Sequence, residues 1–399
     1  MIGRAMGGLP DLRQHLLTCV LPFWVEHSID RDYGGFITHL DRLGNVTDPS
    51  AKHLVTQTRM IYSFAAGHAL GGPEEWLNLA RLGAGFLLHH FRDVEHDGWY
   101  WSVSRDGRPR EMEKRTYGHA FAIYALAEYA HIGGDHRALG AAAHTWSLVA
   151  ERLWDTEHGG VFEACDREWR PSERRHSMGT HLHVLEALLA LNEVTGDHRY
   201  WPRVREIADL IVQYMVDAGQ RCAIEHFRPD WHRDPDRRRA LVDYGHNLEA
   251  AWLLLRVHRV EPVEEYREVA RGFLDYVLAC GLDSTHGGVY SHGPLGQPAT
   301  VREKVWWVQC EALPAFLLGA IAFGDERCRE AFRNVADFCL QRLHDPEYGE
   351  WYHSTNEDGT PRQTAKGSAW KAAYHVTQAL VYADRYLREV GGELSARGQ

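Results

Sequence analysis

The chain of 399 residues carries 44% hydrophobic and 25% charged residues and a formal net charge of −11, a composition that suits a folded protein with a sizeable core. The acidic balance excludes the clustered Lys and Arg of a nucleic-acid surface, and the one basic run, Arg237-Arg238-Arg239 beside Asp234 and Asp236, reads as a solvated loop. Seven scattered cysteines without a C-x-x-C pair, no signal-type segment and no uninterrupted apolar run of about 18 residues predict a cytoplasmic protein with reduced thiols and no membrane partner.

The first recurring element is a glycine turn. It stands at Asp30 before Gly34-Gly35-Phe36, at Asp93 before Gly98-Trp99-Tyr100, at Asp155 before Gly159-Gly160-Val161, at Asp283 before Gly287-Gly288-Val289 and at Asp345 before Gly349-Glu350-Trp351. The interval is about 62 residues, doubled once, so a degenerate copy is expected near residue 219 and the chain holds six units. Each turn leads into a short aromatic hairpin such as Trp99-Tyr100-Trp101, with Asp106-Gly107 and Asp358-Gly359 as tight reversals. In the fourth unit the segment Arg228 to Ala240 replaces the hairpin and is expected to shape the rim.

Two helix classes fill the space between hairpins. Ala120 to Tyr129, Val184 to Leu191, Leu248 to Leu255 and Ala312 to Ala322 are apolar nearly all round, which predicts enclosed helices. Val204 to Met215 and Val263 to Cys280 are apolar on one face and charged on the other, which predicts half-exposed helices. Alternation of the two classes predicts an all-α fold, an (α/α)6 barrel of six helix-hairpin-helix repeats with short β-hairpins at one mouth, as one domain over residues 1–399.

Every enclosed helix nonetheless begins with polar or aromatic side chains at one phase of the repeat: Arg59, then Tyr117 and His119, His181 and His183, His246 and Glu249, Trp306, Trp307 and Glu311, and finally Trp370 and His375. Shared phase predicts shared depth, so these residues gather in one cavity at the helix N-termini, where the helix dipoles favour developing negative charge. A histidine moves protons near neutral pH, and two from different helices can flank one substrate atom. Glu249 is three residues from His246 on one helical face and can orient it. Arg59 stays charged and can hold the oxygen of an enediolate. The set points to proton abstraction beside a carbonyl. No metal ligand run such as H-E-x-x-H occurs, and His181 and His183 point to nearly opposite sides. Glycoside hydrolysis by Glu249 with Glu311 is the rival chemistry, and it leaves the histidines without a role.

The stretches Tyr33-Gly34-Gly35-Phe36, Thr58-Arg59, Thr180-His181-Leu182-His183-Val184-Leu185-Glu186, Gly245-His246-Asn247-Leu248-Glu249-Ala250-Ala251-Trp252, Trp306-Trp307-Val308-Gln309-Cys310-Glu311 and Trp370-Lys371-Ala372-Ala373-Tyr374-His375 together resemble the N-acylglucosamine 2-epimerase superfamily, which includes cellobiose and mannose 2-epimerases and mannose isomerases. The resemblance implies an (α/α)6 barrel without metal or other cofactor. In it, His246 and His375 act as acid and base on opposite faces of C2 of an open-chain sugar. Arg59 stabilises the enediolate, and Glu249 assists His246 and ring opening. His183, Trp307 and Trp370 hold the sugar, with Tyr117, His119, His181 and Glu311 also expected among the substrate contacts. The implied activity interconverts mannose with glucose or fructose; cellobiose 2-epimerisation, glycoside hydrolysis and sugar binding without catalysis are the alternatives. Gly179 and Val376-Thr377 depart from the pattern of the disaccharide enzymes and weigh against that substrate. The expected partner is a small sugar, and the expected assembly a monomer or homodimer.

Overall fold

In a computed structural model of the chain, the described residues are 11–235 and 241–397. Among the described residues thirteen α-helices follow in chain order: α1 (Leu12–His15), α2 (Leu21–His27), α3 (Leu54–Ala69), α4 (Glu74–Phe86), α5 (Thr116–Gly133), α6 (His136–Leu148), α7 (Met178–Thr195), α8 (Trp201–Tyr214), α9 (Tyr244–Val260), α10 (Glu264–Cys280), α11 (Trp306–Phe323), α12 (Glu326–Phe338) and α13 (Tyr374–Arg397). Helices α3, α5, α7, α9, α11 and α13 pack side by side in that order, and α13 returns to α3. Each is backed by the helix that follows it, and α13 is backed by α1. This closed double ring is the (α/α)6 barrel.

Local sequence explains both classes of helix. In α7 every residue from Met178 to Leu191 is buried; Ser177 caps its start by accepting the Thr180 N–H, and Gly196 ends it in the left-handed region at φ 63°. In α12 the buried set is Cys328, Arg329, Ala331, Phe332, Val335, Ala336 and Phe338, one stripe facing the inner ring. Helix α11 is long and apolar enough to cross a membrane by length and composition, but most of it is packed inside the barrel. The outer layer carries π turns at Leu16–Val20, Leu87–Phe91, Val149–Leu153 and Cys339–Leu343, which periodicity alone does not announce.

The glycine turns are fastened from inside. Asp93 is buried; its Oδ1 accepts the N–H groups of Glu95 and His96 at 3.1 and 3.2 Å, and its Oδ2 takes Lys114 Nζ at 2.9 Å and Arg167 of the next unit at 2.9 Å. Asp30 with Lys52, Asp283 with Lys304 and Asp345 with Lys366 repeat the pair at 2.8, 2.7 and 3.1 Å, all with buried lysines. In the third unit His176 stands in for the lysine, 3.4 Å from Asp155. Buried charges persist only when so paired. In the first unit the turn places two successive residues at positive φ, Gly34 (78°) and Gly35 (66°).

The strand before each inner helix pairs antiparallel with the hairpin of the next unit, as in Lys114–Arg115 with Ala164–Cys165, and a bridge from Leu40 to Gly367 joins the last unit to the first. Arg42 reaches Asp345 at 2.7 Å across the same seam, and Trp24 donates to Glu350 at 2.6 Å.

The degenerate fourth turn lies where it is expected, at Asp217, which accepts from Gln220 N–H and pairs at the surface with Arg233, while Arg221 carries the positive φ of 54°. Two other expectations need correction. The hairpin of this fourth unit survives in shortened form through a Phe227–Arg233 bridge; Trp231 stacks on His176 at 4.2 Å, and residues 236–240, including Arg237-Arg238-Arg239, lie outside the described residues. The sixth inner helix begins at Tyr374, so Trp370 to Ala373 form an irregular approach to it.

Candidate active site

The inner-helix N-termini open on a cavity of about 350 Å³ lined by Arg59, Tyr117, His183, His246, Glu249, Trp306, Trp307, Trp370 and His375, together with Glu163, Ser177, Gly179, Thr180, Glu225 and His226. A larger groove of about 490 Å³ lies outside the ring between α4 and α6, away from this cluster.

Both histidines expected at the reaction centre have one ring nitrogen held by a carboxylate. His246 Nδ1 lies 2.8 Å from Glu225 Oε2, and His375 Nδ1 lies 3.0 Å from Glu311 Oε1. This leaves Nε2 of each for a substrate, the tautomer logic of a carboxylate–histidine pair. The two rings lie 5.1 and 6.1 Å from the same indole, that of Trp307, so they face one chamber. Gly245 makes room for that indole, since a Cβ there would stand 2.3 Å from it.

Their electrostatic surroundings are opposite. For His246 burial disfavours the charge, but Glu225, Asp243 and Glu249 outweigh it and hold the imidazolium well above the ordinary histidine range. For His375 burial and then the positive Arg59 act together, with His183, His246 and Lys371 adding to them, and hold the ring neutral well below that range. Burial and the neighbouring Glu311 raise Glu249 well above the usual carboxylate range.

Arg59 donates to the Trp370 carbonyl and, at 2.9 Å, to Tyr117 Oη; its guanidinium lies 4.4 Å over the Phe121 ring. Its buried Nε has no hydrogen-bond partner. Beneath the cavity, Glu186 accepts from Tyr374 Oη at 2.6 Å and from Gln378, and stands 3.5 Å from His183 Nδ1.

Several expected residues take other positions. Glu249 stands 3.4 Å from His183 Nδ1, and Glu225 rather than Glu249 orients His246. Glu311 does not line the cavity; it sits behind His375 and accepts from Trp252 Nε1 at 2.8 Å, so Glu249 and Glu311 do not face each other across a cleft. His119 and His181 also lie off the cavity. His119 Nε2 accepts the Trp99 N–H at 3.2 Å and His181 Nε2 the Val161 N–H at 3.1 Å, with each Nδ1 2.8 Å from the carbonyl four residues back. Burial holds them down to about 4 and about 3, neutral as these bonds require. Gln57 and Gln309 do the same work for Phe36 and Val289. Trp370 stands at the rim, 51% exposed.

Glu163 and Glu225 were not singled out by the sequence. Glu163 accepts from Ser177 and Thr180 hydroxyls at 2.6 and 2.8 Å. The available signal was their separation by one repeat, about 62 residues, each immediately before a short strand, Ala164–Cys165 and His226–Phe227.

The N-acylglucosamine 2-epimerase (GlcNAc 2-epimerase) family model matches residues 35–379. A cellobiose 2-epimerase of Bacteroides fragilis is 29% identical over 386 residues, covering 92% of this chain and 95% of that one. A D-mannose isomerase of Marinomonas mediterranea is 25% identical over 370 residues, covering 90% and 93%. The structure of a cellobiose 2-epimerase from Spirochaeta thermophila superposes with a TM-score of 0.88 at 29% identity, over 95% of this chain and 96% of that one. With the barrel and a two-histidine cavity in place, the chain belongs to the N-acylglucosamine 2-epimerase family and is a carbohydrate epimerase of the isomerase class.

Proposed function

We propose that the protein is a cofactor-independent 2-epimerase or aldose–ketose isomerase of a mannose-type aldose. The observation that carries this reading is the pair of carboxylate-held histidines, oppositely biased in charge, both beside Trp307. With the sugar ring open and C1 a carbonyl, neutral His375 takes the C2 proton at Nε2. The electron pair moves into the C1–C2 bond, and the oxygen that gains charge is met by Arg59 and the helix N-termini. The His246 imidazolium then returns a proton to the opposite face of C2, giving the epimer as the C1 carbonyl re-forms, or, once the O2 proton has passed to O1, to C1, giving the ketose as C2 becomes the carbonyl. His183, Trp307 and Trp370 hold the sugar, with Tyr117 and the newly placed Glu163 at the wall.

The test follows the C2 hydrogen. In D2O the wild-type protein is expected to place deuterium at C2 of mannose, and His375→Ala to lower that rate by about 10² to 10⁴; exchange at the normal rate in the variant removes His375 from the reaction. Disaccharide 2-epimerisation is the second reading, supported by the relatives named cellobiose 2-epimerases. Separate incubations with mannose, glucose, lyxose and cellobiose, resolved by chromatography, choose between them, and release of glucose from cellobiose would instead mark a glycosidase.

A further inference from the structure

His246 has a second carboxylate neighbour that the dyad with Glu225 does not explain. Asp243 caps α9, with its Oδ1 accepting the His246 backbone N–H at 3.1 Å. Its Oδ2 lies 4.0 Å from His246 Nδ1 and 3.0 Å from Nε2 of His292. Asp243 and His292 are directly opposed in the antiparallel pair Leu241–Asp243 with His292–Pro294. Side-chain exposure is 36% at His292, 10% at Asp243 and 22% at His246, so the carboxylate is more buried than either imidazole beside it. His292 does not line the cavity.

We propose that Asp243 and its cross-strand partner His292 are positioning residues that set the proton affinity of His246: the rim imidazolium neutralises Asp243 and thereby keeps His246 able to release its proton. The inference rests on His246 as proton donor. The groups acting on His292 are Asp243 and Glu225, which favour its charged form, and His246, which opposes it; burial also opposes it, and the balance lies above the ordinary histidine value. Removing this positive charge leaves Asp243 uncompensated, and an uncompensated anion makes the neighbouring imidazolium harder to deprotonate. A donor that holds its proton too tightly transfers it more slowly.

The experiment is an NMR titration of the His246 ring in sugar-free protein, beside the pH profile of kcat/KM with mannose. In His292→Gln the His246 midpoint and the high-pH limb should both rise by about half a pH unit or more, with kcat lowered more than KM; His292→Lys, which restores a fixed positive charge, should bring both back towards the wild-type position. A His246 midpoint that stays put or falls in a folded His292→Gln overturns the inference. A raised midpoint in proteins that turn over no sugar upholds the charge relay and overturns the epimerase reading instead.

Discussion

Two residues of one chemical type have been driven to opposite protonation states, and the pH dependence follows from their signs. His375 must be neutral to take a proton, and it is neutral above a value held well below the ordinary imidazole range. His246 must be charged to give one, and it is charged below a value held well above that range. The profile of kcat/KM should therefore be flat across the ordinary imidazole range, falling on its acid side as His375 gains a proton and on its basic side as His246 loses one. A single limb centred near the ordinary histidine value would contradict the assignment. His119 offers the contrasting case. Because Gln57 and Gln309 bind the equivalent turn in their own units, His119→Gln should keep full isomerising activity and cost less than about 1 kcal/mol of stability by denaturant unfolding. These two outcomes share one sequence signal, a polar residue on an apolar helix. Positions two apart on a helix face nearly opposite ways, so His181 meets the turn while His183 meets the cavity. The sequence supports that distinction through phase; it does not reveal which phase points inward.

At the scale of the element, the turn and its buried lysine form one unit of stability. Lys114 and Asp93 are both wholly buried, so Asp93→Ala strands an ammonium in the core and should cost about 3 to 5 kcal/mol in urea unfolding. A loss under about 1 kcal/mol would show the pair to be dispensable. The Asp93 carboxyl is held below its ordinary value by Arg167 and Lys114 against the cost of burial, so its contribution is present above the unfolded carboxylate value and is lost as pH falls through the lower, folded one. Helix identity was legible because apolar periodicity is strong over long segments. The hairpins' contribution to the site was less so, since a glutamate in the short link between two strands looks like any solvated residue until Glu225 is found against His246.

At the scale of the molecule, closure governs. Arg42, Trp24 and the Leu40–Gly367 bridge, together with α13 packed on α3, tie the first unit to the last; without this seam the barrel would be an open stack with two ends. Arg42→Ala removes hydrogen bonds to a buried carboxylate and should cost about 2 kcal/mol, with circular dichroism and calorimetry still showing one transition; early melting of a terminal unit alone would mean that the ring does not act as a whole. The six units are not equal partners. Five aspartates keep a buried lysine or histidine, whereas Asp217 makes do with Arg233 at the surface. That loosened copy is the one that sends Glu225 and His226 into the cavity. In a chain assembled from tandem copies, redundancy among siblings frees one of them to diverge, and the place where periodicity decays becomes a map of where new chemistry could be installed.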